Sequence, residues 1–158
     1  MLRRGYEHLP LQHHQHLRKK GQAWLDELPQ LVAAISSRLD LRDLNEVTNL
    51  TYNYALSGFH GNNPIILKLG LDHEALTREA FALKCFADRG AVEVISEDYG
   101  MLLVERAMPG ASLKSCFPDK EHESIKIACG VMKKLHQANI HATHNFPHIK
   151  DWFTALDK

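Results

Sequence analysis

The stretch Pro64-Ile65-Ile66-Leu67-Lys68-Leu69 decides how the rest of the chain is interpreted. Four of the five residues after Pro64 are aliphatic, and the run follows a turn-forming segment, so the pattern predicts a buried strand. Lys68 interrupts this run. A charge inside a buried strand is costly unless a partner compensates it.

The next segment supplies a candidate partner for Lys68. Between residues 73 and 89, apolar residues recur at the spacing of one helix face: Leu76, Ala80, Leu83 and Ala87. Glu79 lies within that stripe, so we predict that it faces the interior and forms an ion pair with Lys68. The alternative is that the Lys68 ammonium extends to water while Glu79 sits at the edge of the stripe.

Bulk composition excludes several classes of protein. The chain has 158 residues, enough for one domain or one and a half, with 19 basic and 19 acidic residues. That balance argues against a nucleic-acid binder driven by bulk charge. We find no apolar run long enough for a membrane span and no secretory signal, and the three cysteines form no C-x-x-C pair. A cytoplasmic protein with reduced thiols is the simplest interpretation.

The basic, histidine-rich residues 1–20 are predicted to form a mobile, solvated arm. A metal site built from His13, His14 and His16 is the alternative. Residues 22–39 have helical periodicity, and Pro29 is predicted to divide them into two pieces.

The remaining elements follow a definite order. Three strands are predicted at 41–47, 51–57 and 64–69, then a helix at 73–89 with Asp72 as its cap and Gly90 at its end. Two more strands, 91–95 and 101–104, are joined by a turn at 96–100. After an irregular segment at 105–110, helices are predicted at 112–116, 120–138 and from 150 to 156.

This order is that of the small lobe of a protein-kinase-like fold, in which a lysine on the third strand pairs with a glutamate on the next helix. The chain resembles the aminoglycoside phosphotransferases, and within them the streptomycin and hydroxyurea-resistance kinase group. The matching stretches are residues 24–29, Ile66-Leu67-Lys68-Leu69, Arg78-Glu79-Ala80, residues 102–106, residues 109–113 and Leu135-His136.

The resemblance implies an α+β fold with a five-stranded antiparallel sheet and one helix, N-terminal helices, and the first helices of a truncated large lobe. The implied units are the arm at 1–20, the small lobe at 21–104, a hinge at 105–111 and the large-lobe start at 112–158.

The resemblance also implies an ATP site. Lys68 would contact the nucleotide phosphates with Glu79 holding it, and Ile66 and Val104 would line the adenine pocket. The Glu105 carbonyl and the Ala107 N–H would meet the adenine edge. No glycine occurs between residues 41 and 57, so side chains of Thr48, Asn49 or Thr51 would have to help the backbone cover the phosphates.

The family's catalytic aspartate and its Mg²⁺ ligands belong to a His-Gly-Asp loop and a later aspartate motif, and this sequence contains neither. We therefore expect a nucleotide-binding lobe that does not catalyse transfer alone, with Mg²⁺ and an aminoglycoside bound only in a full-length form. The chain is then a fragment or a truncated gene product.

The alternative is a non-catalytic remnant or interaction protein that self-associates through exposed apolar surface, including Trp152 and Phe153. His141, His144 and His148 are predicted to be solvent-facing rather than zinc ligands.

Overall fold

The computed structural model of the chain describes residues 11–47, 53–138, 146, 148, 150 and 153. Its helices are α1 (Leu11–Leu39), α2 (His73–Cys85) and α3 (Glu121–Leu135), with a short 3-10 helix at Leu113–Cys116. Its strands are β1 (Leu41–Glu46), β2 (Tyr54–His60), β3 (Asn63–Leu69), β4 (Val94–Asp98) and β5 (Met101–Glu105).

The strands form a five-stranded sheet in the order β1-β2-β3-β5-β4, and each neighbouring pair is antiparallel. Helix α2 connects β3 to β4 in the chain. The predicted α+β arrangement of three strands, a helix and two strands is therefore confirmed.

One face of the sheet packs against α1. Alternate residues of β3 point to this face, and Ile65, Leu67 and Leu69 are all 0% exposed there. Leu28 and Ile35 of α1 join the same cluster. Hydrophobic burial on this face therefore holds the long N-terminal helix to the sheet.

The opposite face packs against α2. Leu76 and Ala80 of the helix contact Leu102 and Val104 of β5, and all four are buried. Ile66 and Lys68 belong to this face because they alternate with the residues that face α1.

Helix α1 corrects one prediction and extends another. It is a single helix with Pro29 inside it, so the predicted division at Pro29 was wrong. Proline removes one backbone hydrogen bond, but Leu28 and Ile35 anchor the helix to the sheet on both sides of it. The helix also begins at Leu11, within the segment 1–20 that we assigned to the arm.

The boundaries around α2 and β4 also differ from the prediction. Asp72 caps α2 as expected, accepting a hydrogen bond from the Ala75 N–H at 2.9 Å. The helix ends at Cys85 rather than 89, because a turn follows in which Asp88 has φ 61° and Gly90 has φ 96°.

Strand β4 continues through the predicted 96–100 turn to Asp98, where it pairs with Met101. A two-residue connection, Tyr99-Gly100, then suffices, with Gly100 at φ 72°.

Helix α3 follows the 3-10 helix and lies beside the turn after α2. A Cβ placed on Gly90 would be 3.5 Å from Val131 Cγ1 of α3. Beyond α3, the ring of Phe146 lies 5.7 Å from the ring of Phe81 on α2. The segment after β5 therefore returns to the α2 side of the sheet.

Candidate functional site

Lys68 and Glu79 form the predicted ion pair. Lys68 Nζ lies 2.5 Å from Glu79 Oε1, and the two side chains are 30% and 34% exposed. In the sheet register, Lys68 sits between Ala55 of β2 and Leu102 of β5. The cation is thus held on the α2 face of a central strand with its head group partly open to water.

The placement of Glu79 follows from the way α2 packs. Leu76 and Ala80, which bracket Glu79, are 2% and 0% exposed against β5. These apolar contacts fix the rotation of the helix, so that Glu79 projects toward β3.

Ile66 and Val104 lie on the same face as Lys68. They face each other in the β3–β5 register, and both belong to the apolar cluster under α2. Val104 is 4% exposed, whereas Ile66 is only partly buried. The structure therefore places these two residues next to each other on the sheet face that carries the Lys68–Glu79 pair.

Two backbone hydrogen bonds hold the end of β5, and the chain leaves the sheet after them. The Glu105 N–H donates to the Glu93 carbonyl at 2.9 Å, and the Arg106 N–H donates to the Pro64 carbonyl at 3.0 Å. The N–H of Ala107 has no acceptor within the described residues. Gly110 then turns the chain at φ 71°, where a Cβ would lie only 2.8 Å from the Ala107 carbonyl oxygen.

Thr48, Asn49 and Thr51 lie outside the described residues, but the strands that flank them are described. The Val47 N–H donates to the Ala55 carbonyl at 3.0 Å. On the α1 face, the Tyr54 hydroxyl donates to Glu46 Oε1 at 2.5 Å. This hydrogen bond, assisted by burial and by the nearby charge, raises the pKa of Tyr54 to about 12.

A cavity of about 430 Å³ lies at the C-terminal end of α2, on the β4 side. Among the predicted site residues that the structure describes, only Glu105 lines it, together with Leu83, Lys84, Ala87, Asp88, Ala91, Glu93 and Val94. The cavity is therefore separate from the Lys68–Glu79 pair. Most of the residues that line the cavity are exposed, whereas the side chains of Lys68 and Glu79 are 30% and 34% exposed, so the ion pair is the more enclosed of the two features.

Sequence reasoning missed a second contact of α2. Lys84 Nζ lies 2.6 Å from Glu97 Oε1 of β4. The contact was missed because the predicted turn at 96–100 placed Glu97 in a loop rather than on a strand beneath the helix.

Over the described residues, no group of three or more His, Cys, Asp or Glu side chains is placed to hold a metal ion. None of the described helices is long and apolar enough to cross a membrane. The histidines at 141 and 144 and the tryptophan at 152 lie outside the described part of the chain, and the three cysteines are free.

Comparison with known proteins adds one match. The family model described as aminoglycoside/hydroxyurea antibiotic resistance kinase matches residues 56–158. No curated protein matches the chain. The matched segment begins in β2 and includes Lys68, Glu79 and everything that follows them.

Proposed function

The chain belongs to the aminoglycoside/hydroxyurea antibiotic resistance kinase family, and from this we propose that its sheet and α2 bind ATP beside Lys68. The observation that carries the proposal is the Lys68–Glu79 pair, in which a carboxylate holds an ammonium on a partly open sheet face. In kinase folds a pair of this type positions the lysine on the nucleotide phosphates.

The chemistry of the ammonium supports this proposal. A lysine head group has three N–H donors, and Glu79 accepts from it at one oxygen. With about a third of the side chain exposed, donors remain that could reach phosphate oxygens. Glu79 would keep the head group from moving away to bulk water.

The surrounding residues fit an adenine ring next to this cation. Ile66 is partly exposed and lies beside the buried Val104 on the Lys68 face, and the Ala107 N–H has no acceptor among the described residues. We propose that this N–H and the Glu105 carbonyl meet the adenine edge, while Thr48, Asn49 and Thr51 lie near the phosphates.

ATP binding can be measured by calorimetry on the whole chain. We expect the Lys68→Met variant to bind ATP about 10- to 100-fold more weakly, because a hydrogen bond to a charged group contributes about 1.5–3 kcal/mol. The control is Lys133→Met, which removes an exposed lysine of α3 and should leave the affinity within about two-fold. An unchanged affinity in Lys68→Met would refute the site.

Transfer of the phosphoryl group is a separate question from binding. We propose that this chain alone does not phosphorylate streptomycin or another aminoglycoside, because its sequence lacks the His-Gly-Asp motif of the family. Mg²⁺ and the acceptor would be bound by large-lobe residues that this sequence does not contain. Turnover with ATP and Mg²⁺ that disappears in Lys68→Met would contradict this proposal.

The second candidate function is self-association, which α3 supports. Ile125 and Met132 lie two turns apart on one side of the helix and are 51% and 53% exposed. Exposed apolar surface of this kind often forms an interface, and we propose a second copy of the chain as its partner.

Sedimentation velocity across the micromolar range tests the self-association proposal. We expect a concentration-dependent dimer that Met132→Lys weakens, whereas Lys133→Arg, at the neighbouring exposed position, leaves it unchanged. A monomer at every concentration would rule out this candidate without affecting the nucleotide proposal.

A further inference from the structure

Helix α2 makes two ion pairs with the sheet, Lys68–Glu79 and Lys84–Glu97, and the second lies outside the proposed ATP site. Lys84 Nζ lies 2.6 Å from Glu97 Oε1, with side chains 52% and 40% exposed. A third ion pair of the helix, Arg78–Glu74 at 3.4 Å, lies within α2 and does not reach the sheet.

The two sheet contacts lie on opposite flanks of the buried helix stripe. At about 100° per residue, Glu79 projects about 60° to one side of Leu76, and Lys84 projects about 80° to the other side. Leu76 and Ala80 lie between these directions and are buried against β5.

The partners in the sheet have a matching arrangement. Lys68 on β3 and Glu97 on β4 both pair in register with Leu102 of β5. The helix therefore straddles Leu102, with one ion pair to the strand on each side. A roll of α2 in either direction stretches one of these pairs.

The order of charges reinforces this effect. The helix presents an anion to β3 and a cation to β4, while the sheet presents the cation on β3 and the anion on β4. A helix shifted so that the partners exchanged would bring Glu79 toward Glu97 and Lys84 toward Lys68, and like charges repel.

We propose that Lys84 and Glu97 are positioning residues that hold α2 in the rotation at which Glu79 contacts Lys68. Through this contact they orient the Lys68 ammonium in the ATP site, and that last step rests on the proposed function. The pair acts through Glu79 and does not itself touch the nucleotide.

A double-mutant cycle measured without nucleotide tests whether Lys84 positions Glu79. The effect of Glu79→Gln on the unfolding equilibrium constant is measured in the wild-type chain and in Lys84→Met. We expect the fold-change that Glu79→Gln causes in the unfolding equilibrium constant to be about two-fold smaller in Lys84→Met than in the wild-type chain. The reason is that Glu79 has already lost part of its contact with Lys68 in Lys84→Met. The control is Glu74→Gln in place of Lys84→Met, which should leave the effect of Glu79→Gln unchanged.

Strictly additive effects of Lys84→Met and Glu79→Gln would overturn the proposal. The exchanged variant Lys84→Glu with Glu97→Lys adds a second criterion, since it restores an attractive pair on the same flank. We expect it to recover at least half of the lost coupling. No recovery would show that only the lysine stem, and not the pair, matters.

ATP affinity gives the functional arm of the same experiment. We expect Lys84→Met to weaken ATP binding about three- to five-fold, and the exchanged variant to regain most of this loss. If Lys84→Met matches wild type in ATP affinity, the positioning role in the site is wrong. If the wild-type chain binds no ATP, the proposed function fails, while the unfolding cycle still decides whether Lys84 positions Glu79.

Discussion

Replacing Tyr54 with phenylalanine removes the hydroxyl that donates to Glu46 Oε1 at 2.5 Å and leaves the ring in place. The neutral phenol makes this hydrogen bond, whereas a phenolate would be repelled by the carboxylate. For this reason, together with burial, the pKa of Tyr54 is raised to about 12. The bond joins β1 to β2 just outside residues 48–52.

The sign of the pH dependence follows from the raised pKa. In the unfolded chain a tyrosine has a pKa of about 10. The hydrogen bond therefore stabilises the fold fully below pH 10, and its contribution is lost as the pH rises through the folded pKa of about 12.

The free energy that the Tyr54–Glu46 hydrogen bond contributes to folding has an upper bound and a smaller expected value. A rise in pKa from about 10 to about 12 corresponds to about 2.7 kcal/mol. Tyr54 is only partly buried and Glu46 is exposed, so solvent screening reduces this to about 0.5–1.5 kcal/mol.

Urea unfolding of Tyr54→Phe and wild type measures this contribution. We expect the variant to be less stable by about 0.5–1.5 kcal/mol at neutral pH, and the difference to shrink as the pH rises from about 10 toward about 12. The ultraviolet absorbance of tyrosinate, compared between the two proteins, gives the pKa of Tyr54 directly.

Tyr99→Phe is the matched control, because the Tyr99 side chain is 83% exposed and the substitution preserves its ring contact with His73. It should change the free energy of unfolding by less than about 0.5 kcal/mol. Equal effects of the two substitutions, or a Tyr54 that titrates with an ordinary pKa, would refute the reasoning.

Three further outcomes are expected. Lys68→Met and Glu79→Gln should each cost about 1 kcal/mol or less, since both side chains are about a third exposed, and strict additivity in the double mutant would contradict the pair. Leu102→Ala should cost about 2–5 kcal/mol in urea unfolding, because Leu102 is 0% exposed beneath α2; a loss below about 1 kcal/mol would count against that packing. The hydrogen bond from Arg38, with a smaller contribution from the Tyr99 N–H, lowers the pKa of Asp98. The stability that these hydrogen bonds give to the fold is present above the ordinary pKa of the carboxyl, and it is lost as the pH falls through the lowered pKa. In NMR titration, Arg38→Met should raise the pKa of Asp98, and an unchanged pKa would refute this cause.

The order of elements was predictable because it depends on patterns that survive in one sequence. An aliphatic run such as 64–69 and a helical stripe such as Leu76-Ala80-Leu83 report burial directly. The ends of elements were less predictable. Strand β4 was misplaced because its last residues, Glu97 and Asp98, are poor strand formers that pairing with β5 nevertheless keeps in the sheet.

The residues of the candidate site also differ in how well the sequence predicts them. Lys68 was conspicuous because it interrupts an apolar run, and this led directly to Glu79. Lys84 has no such signal, since a lysine near the end of a helix usually faces solvent. Its contact with Glu97 depends on the strand register that places Glu97 beside Leu102, which one sequence does not reveal.

The strand order also bears on how the sheet assembles. Strands β1 to β3 are consecutive in the chain and pair as a meander, and β4 and β5 form a hairpin. The strand pairing that joins these two local units runs between residues 65–69 and 101–105, which are between 32 (69 to 101) and 40 (65 to 105) positions apart. Because loop closure opposes such distant pairing, we expect the two units to form early and to join late.

That junction also carries five of the six largest fully buried side chains among the described residues. Ile65, Leu67 and Leu69 of β3, and Leu102 and Leu103 of β5, are 0–1% exposed. Parting the two units would expose the apolar clusters on both faces of the sheet in a single event. The backbone amide hydrogens between β3 and β5 should therefore exchange with solvent only when the whole domain unfolds. Lys68 should accordingly keep its position on β3 for as long as the domain stays folded.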